Sequence, residues 1–517
     1  MTDLEVFGLL IIAMALCFAN WRIGVFICIV IGFLQDPLRK LIPGEPIYFT
    51  AMVGAPLAMT LVGARLRNVR LSFRPMHSWN DVLRTPLRCF VALVLVQSAA
   101  AFIKTGSPAV AGIGALSYLA PLPAILLGYQ FSRNEQTVVK VTKVYLLVGV
   151  PMVLGVYLSY AGFDWTILKQ VGTGLFIYSQ ERGRLDLYSG FLRSPEIAAW
   201  HAATAACLLM LVALAIRRNL ILKWGAGVLV PALLGVILLT GRRKFLVEIF
   251  LFISVYALML IWFQRTAIKS PLISKSALLV AGGVVLASVA YIYIAPDETA
   301  TEIRPYYERG MSVRNDVTER VSVMTIASFQ YVIAQNGVLG SGAGTGSQGV
   351  QHFGGQTTGA SAEGGLAKVL AELGVPGLLV LLWVALSFAR YLWSIVQYVS
   401  KLPEADPVLA KLMFGLVALL MTNGVVYVIA HQVFGDPFVL IILGILLGFV
   451  MATPKLLMRS ADDRRRATAD RRVAAADRAE NDDRRRATED RRQREDRRPM
   501  TGPSSAVVGR RSPVIGQ

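Results

Sequence analysis

The chain reads as an all-α, polytopic integral membrane protein with about 12–13 transmembrane helices, a long polar loop and a charged C-terminal tail. Three observations predict this class. Of 517 residues, 55% are hydrophobic, and the mean hydropathy is +0.56. Apolar runs of about 18 or more residues, the length a helix needs to cross a hydrocarbon core, recur along the chain. Lys and Arg collect in the connecting segments, giving a net charge of +19, as expected of loops held on the cytoplasmic side.

Six runs fall in an N-terminal block, 1–163: Val6–Phe18, Ile23–Leu34, Ile47–Leu66, Leu87–Ile103, Val110–Phe131 and Val144–Phe163. The first follows MTDLE without a basic stretch or a small-residue cleavage pattern, so it reads as a retained helix rather than a signal peptide. A polar stretch, 164–194, separates this block from a central one, 195–295. The central runs are Pro195–Ile216, Leu220–Thr240, Phe245–Phe263 and Ala277–Ala295. A large polar segment, 296–370, then leads to Leu373–Val396, Val408–Ala430 and Pro437–Ala452 in the block 371–453.

Loop charge orients the bundle. Arg65–Arg84, Arg217–Lys223, Gln264–Lys275 and the tail are basic, and placing them in the cytoplasm satisfies the positive-inside bias. Helix counting then puts 164–194 and 296–370 on the outer side, which in a bacterium is the periplasm. One basic cluster departs from the bias. Arg242, Arg243 and Lys244 follow Gly241 between two spans and fall on the outer side. Cations kept there against the bias suit an anionic head group. A miscounted helix or a snorkelling anchor is the plainer account of the same residues.

The stretch Gly337–Gly377 is glycine-crowded and polar between apolar spans. Irregular backbone must keep its N–H and C=O groups paired, so it belongs in water or in a protein-lined cavity. Its Gly340–Gly346 run follows no strand and opens no βαβ unit, which excludes a dinucleotide loop; P-loop, nucleophile-elbow and zinc-helix patterns are missing too. Cys17, Cys28, Cys89 and Cys207 lie in apolar runs without CxxC or Cys/His spacing, so neither a metal site nor a disulfide framework is expected. No cofactor is implied. His201, two turns into its span, reads as a helix–helix hydrogen bond before it reads as a catalyst. His431 and Asp436 fall in a short outer turn, and Glu372 at a helix start is expected to pair with an arginine. His77, in a basic loop, is given no role.

The tail, 454–517, repeats DDRRRATADRR (Asp462–Arg472) as DDRRRATEDRR (Asp482–Arg492). It lacks an apolar face, so it reads as a solvated helix held by i,i+4 pairs with a disordered Pro/Gly/Ser end. Contact with anionic lipid or with an acidic partner suits it, and nucleic acid is not expected.

Three stretches together resemble the O-antigen ligase and O-antigen polymerase family. GVLGSGAGTGSQG followed by EGGLAKVLAELGVPGLL is similar to its C-terminal signature. RLDLYSGFLRSPEIAAWHAA (Arg184–Ala203) resembles its Arg, Gly-Phe, Pro stretch ahead of a helix, and TGRRKFLVEI (Thr240–Ile249) its Thr-Gly-Ser-Arg helix start. The resemblance covers roughly Arg184 to Ala452. It implies a bacterial inner-membrane glycosyltransferase that moves undecaprenyl-diphosphate-linked oligosaccharide onto a hydroxyl of a glycan or lipid acceptor at the periplasmic face, with other polysaccharide-assembly proteins as candidate partners of the tail. A diphosphate is already a good leaving group and needs cations more than a general acid. Arginine forks match phosphate oxygens and stay charged, which makes Arg242, Arg243, Arg184 and Arg193 the expected substrate contacts. Arg314 and Arg320 are either further contacts or a solvated helical face. No DxD-type carboxylate pair lies in an outer loop, so transfer without a metal is expected. The family commonly places a His about nine residues before Glu-Leu-Gly. Here Glu363 stands at that position, with His352 nearby as the rival base.

A second reading is a membrane transporter or flippase for a lipid-linked glycan or anionic solute. Transporters also carry broken helices and intramembrane charge, and many are built of matching halves, which this chain lacks.

Overall fold

The computed structural model describes residues 2–74, 81–171, 175–179, 183–216, 220–267, 305–306, 309, 328–346, 364–401, 407–429 and 431–496. The chain divides into two units, Met1–Met458 and Arg459–Gln517. The helices are α1 (Asp3–Ala19), α2 (Trp21–Lys40), α3 (Gly54–Leu66), α4 (Arg84–Thr105), α5 (Pro108–Leu119), α6 (Pro121–Phe131) and α7 (Glu135–Tyr160). After a hairpin of β1 (Phe176–Ser179) and β2 (Gly183–Asp186) come α8 (Pro195–Ala215), α9 (Leu220–Leu239) and α10 (Lys244–Ala267). The remainder is α11 (Ser328–Asn336), α12 (Gly365–Lys401), α13 (Pro407–Ile429), α14 (Pro437–Met451) and α15 (Thr453–Asp496). The two strands pair antiparallel, with Phe176 opposite Asp186.

This is a polytopic, all-α membrane protein. Among the described residues nine spans are long and apolar enough to cross a bilayer, or ten if Pro437–Met451 and Thr453–Arg459 form one span across a 42° bend. Of the other runs read from sequence, α1 has 17 residues and Lys223–Leu239 is apolar but shorter. Ala277–Ala295 lies outside the described residues.

Several boundaries differ from the sequence reading, each for a physical reason. The run Val110–Phe131 is two helices broken at Ala120, where Pro121 opens the second; a proline has no N–H to continue the ladder. The span expected at Val144 begins at Glu135, because Asn134 caps it by accepting the Thr137 N–H at 3.0 Å. The span expected from Leu373 begins at Gly365 and is kinked at Gly374. The largest change is in α2, expected to stop at Leu34. It runs on through Gln35, Asp36, Arg39 and Lys40, all buried. Buried charge is costly unless partnered. Here Arg39 Nε donates to the Glu45 carbonyl at 2.9 Å, and Lys40 Nζ donates to the carbonyls of Gly190 and Leu192 at 2.8 and 2.9 Å.

One end of the bundle gathers the long connections. The Tyr188 N–H donates to the Leu239 carbonyl, and Arg309 Nε to the Gly241 carbonyl at 3.2 Å. Together with the Lys40 bonds, these bring the end of α2, segment 183–194, the start of α8 and the α9–α10 turn to one place. We call it the loop end. Close helix packing supports it from below: Gly444 and Gly448 of α14 lie against the backbone of α6, where any side chain would collide.

Of the second unit, α15 residues 473–492 are exposed, and Arg484 pairs with Glu480 one turn earlier at 2.7 Å. Acidic and basic residues are interspersed along this solvated helix, at spacings that allow i,i+4 pairs of this kind.

Candidate functional site

The start of α8 organises the loop end. Ser194 caps the helix, its Oγ accepting the Ile197 N–H at 3.3 Å. The residues flanking that cap, Arg193 and Glu196, build two ionic clusters.

Arg193 lies between two carboxylates. Its Nη1 is 3.3 Å from Asp36 and its Nη2 is 2.6 Å from Asp436, while its backbone N–H donates to Asp36 at 3.0 Å. Asp436 also accepts the N–H groups of Phe438 and Val439 at 2.7 and 3.2 Å, capping α14. Burial alone would lower the Arg193 guanidinium, but Asp436 and Asp36 beside it hold it above the ordinary arginine value. Asp436 stands above the usual carboxyl range, because its burial outweighs the pull of Arg193. This cluster ties α2, α8 and α14 together.

Glu196 lies between two cations. Arg242 Nε is 3.1 Å from one carboxylate oxygen, and Lys244 Nζ contacts the other. All three side chains are largely buried, at 20% exposure for Arg242, 15% for Lys244 and 7% for Glu196. Arg243 is half-buried between its two neighbours in sequence. Gly241 makes the turn with a left-handed φ of 63°, which ends α9 and presents the three cations at the first turn of α10. The N-termini of α8 and α10 therefore meet here, and both favour negative charge. Arg184 belongs to the neighbouring hairpin. It pairs with Asp186 at 2.9 Å and stacks on Phe176 at 4.5 Å, largely in solvent. The Tyr306 hydroxyl, whose burial pushes its proton affinity up, donates to the Asp186 carbonyl at 2.7 Å.

One turn below, the interior is polar at membrane depth. Trp200 Nε1 donates to Asn423 Oδ1 at 2.7 Å, and Asn423 Nδ2 donates to Glu248 Oε1 at 2.9 Å. The Tyr145 hydroxyl and His201 Nδ1 share a hydrogen bond of 2.9 Å, so His201 does join two helices.

Of the glycine-rich stretch, residues 341–345 are buried, whereas residues 337–339 and Gly346 are exposed. Pro376 has no N–H to offer the Glu372 carbonyl, and Gly374, at φ 70°, turns the Val375 N–H away from Ala371. The loop fills both vacancies. Ser341 N–H donates to the Ala371 carbonyl at 2.8 Å and Gly342 N–H to the Glu372 carbonyl at 3.0 Å, while Val375 N–H returns to Val338 at 2.8 Å. On the other side the Ala343 N–H reaches the Gln97 carbonyl in α4 at 3.1 Å. A Cβ on Gly344 would come within 2.3 Å of the Val110 carbonyl in α5. The Glu372 carboxylate accepts from the Tyr118 hydroxyl at 2.7 Å and the Gly346 N–H at 3.1 Å. Residues 341–345 thus occupy a protein-lined position, with the Ser341, Gly342 and Ala343 N–H groups all paired with backbone carbonyls.

Of the residues read from sequence, Arg242, Arg243 and Arg193 come together at the loop end, and Arg184 lies in the hairpin beside it. His431 opens the short turn Gln432–Gly435 that leads to Asp436. Glu363, His352, Arg314, Arg320 and His77 lie outside the described residues. Sequence reasoning missed Asp36, Lys40, Glu196, Glu248 and Asn423. An acid directly after Pro195, and an acid four residues after Lys244 inside an apolar run, were the available signals.

Fold and site define a multi-pass membrane protein whose basic residues converge on helix N-termini at one end of the bundle. No family model matches the chain, and no curated protein matches it either.

Proposed function

We propose that this chain is a glycosyltransferase of the bacterial inner membrane that transfers or polymerises undecaprenyl-diphosphate-linked oligosaccharide onto a hydroxyl acceptor at the periplasmic face. The observation that carries this reading is the gathering of Arg242, Arg243 and Lys244 at the start of α10, Arg242 and Lys244 both on Glu196, beside the capped start of α8. Such a place suits a diphosphate at the membrane surface. The acceptor oxygen attacks the anomeric carbon, the bond from that carbon to the diphosphate oxygen breaks, and negative charge grows on the leaving diphosphate. Cations fixed in a partly desolvated setting stabilise that charge as it develops. Glu363 or His352 takes the proton from the acceptor hydroxyl. Arg193, already held by two carboxylates, acts in this reading as the joint that positions α8.

Arg243→Ala tests it. With the variant inserted in the membrane at wild-type level, glycan extension or transfer is expected to fall by at least about a hundredfold, the usual cost of losing one donor to developing charge. Wild-type polysaccharide output from that variant would overturn the assignment.

The break in α12 at Gly374 and the buried Glu248 favour a second reading, a carrier or flippase for an anionic or lipid-linked solute. Purified protein in detergent separates the two. Consumption of lipid-linked glycan where no gradient exists supports the enzyme, whereas saturable uptake into vesicles without product supports the carrier.

A further inference from the structure

We propose that Glu248 is a membrane-buried proton-binding site, reached from the loop end along a polar seam between α8, α10 and α13. The inference goes beyond the transfer reaction and does not depend on it.

The seam follows from helical spacing. Glu196, Trp200 and Thr204 recur every four residues on α8, and Lys244, Glu248 and Tyr256 lie on one stripe of α10 with Phe252 between the last two. The two helices pack together and α13 closes over both. From Lys244 to Tyr256 the stripe descends about 18 Å at 1.5 Å per residue. Trp200, Thr204, Glu248, Tyr256 and Asn423 are all buried.

Hydrogen-bond capacity shows where the seam is incomplete. Asn423 is fully committed: its Oδ1 accepts from Trp200, and its two amide hydrogens go to Glu248 Oε1 and the Leu419 carbonyl. That fixes the amide and leaves Glu248 Oε2 buried without a partner. As an acid, the carboxyl would need an acceptor there; as a carboxylate, it would need a donor or a counter-cation. The same lack recurs along the seam at Tyr256 Oη and, next to it, at His201 Nε2. Buried polar atoms left open in this way mark places for internal water or an exchangeable ion. An ionisable side chain inside a bundle is expected to be functional. Among the described residues, the charged or titratable groups acting with Glu248 are Lys244 one turn above, Tyr145 on α7 and Cys207 on α8. From α13 it meets the uncharged Asn423, and among the described residues neither α9 nor α12 adds a charge that acts on it. Lys244 also holds Glu196, so the mouth of the seam and its buried acid share one cation.

Infrared difference spectroscopy of the full chain in lipid, wild type against Glu248→Gln, reads the proton directly. The expected result is one carboxylic-acid C=O band, shifted as a desolvated acid is, that vanishes reversibly as pH rises and is lost in the variant. If Glu248→Gln does not fold, Asn423→Leu assigns the band, because removing the donor to Oε1 must shift it without abolishing it. A band missing at every pH would make Glu248 a permanent counter-ion of Lys244 and overturn the proposal. A band that persists at every pH would make it a fixed neutral hydrogen-bonder, with the same consequence. Loss of the band on adding sodium at constant pH would reassign the site to a metal cation.

Discussion

Arg193 and Glu196 stand three residues apart at the start of one helix, and their surroundings are inverted. The arginine lies between two acids, Asp36 and Asp436, and the glutamate lies between two bases, Arg242 and Lys244. In the first cluster every acid has a second structural duty: Asp36 accepts the Arg193 N–H, and Asp436 caps α14. Such a cluster is saturated by the protein and serves as a joint. In the second, the cations lie on a turn at a helix start, where the backbone itself favours an anion. A buried charge therefore does not by itself mark a site. What distinguishes the two clusters is their setting: the first joins three helices through one arginine, while the cations of the second gather at the start of a helix.

The largest effect should come from breaking the joint. Arg193→Ala leaves Asp36 and Asp436 buried without their common cation, and losing one partner of a buried pair typically costs about 3–5 kcal/mol. Thermal unfolding in detergent should show a correspondingly large drop in midpoint. Arg243→Ala, in the other cluster, should unfold near the wild-type temperature while losing transfer. If Arg193→Ala unfolds like the wild type, the joint reading is wrong and Arg193 returns to the list of ligand contacts.

A smaller loss should follow from a change without charge, which tests whether the glycine-rich stretch is packed as firmly as the joint. Gly344→Ala places a Cβ against the Val110 carbonyl at a backbone φ of 95°. Strain of this kind costs about 1–3 kcal/mol. The expected signature is faster hydrogen exchange at Ser341, Gly342 and Ala343, whose N–H groups bond α12 and α4. Unchanged exchange there would mean that the stretch yields, and that it resembles a mobile loop more than a wedge.

Next in size is the effect on the mouth. Glu196→Gln keeps the shape between Arg242 and Lys244 but removes the internal anion that competes with any external one. Pyrophosphate should then bind the purified protein about tenfold more tightly, or about 1.4 kcal/mol. Calorimetry on wild type and variant measures it. Weaker binding would make Glu196 part of the positioning of those cations rather than their competitor.

The helices were legible in the sequence because twenty-residue apolar runs leave a composition signal that tertiary contacts do not alter. The buried turn Gln35–Lys40 was not, because its charges are stabilised by carbonyls at Gly190 and Leu192, about 150 positions away. The break in α12 had a visible cause in Gly374 and Pro376. Its repair by Ser341 and Gly342 depended on a partner thirty residues earlier that nothing local identifies. Cations at the loop end were legible because three of them stand together in one short turn between two apolar runs. Their counter-ion Glu196 was not, since an acid in the first turn of a helix is also what the helix dipole alone would favour.

The smallest effect belongs to the solvated helix, and it isolates what makes the joint strong. Arg484 and Glu480 meet at 2.7 Å, almost the 2.6 Å of Arg193 and Asp436, yet their side chains are 75% and 66% exposed against 17% and 2%. Exposed i,i+4 pairs contribute at most about 0.5 kcal/mol, because water screens the attraction and two long side chains must be ordered. Arg484→Ala should leave the unfolding midpoint of the full chain unchanged and lower helical circular dichroism only marginally. Burial, with its demand that each charge be met, then separates the two pairs, since their distances scarcely differ. A drop approaching that of Arg193→Ala would show that the tail repeat is packed against a partner in the assembled protein rather than solvated.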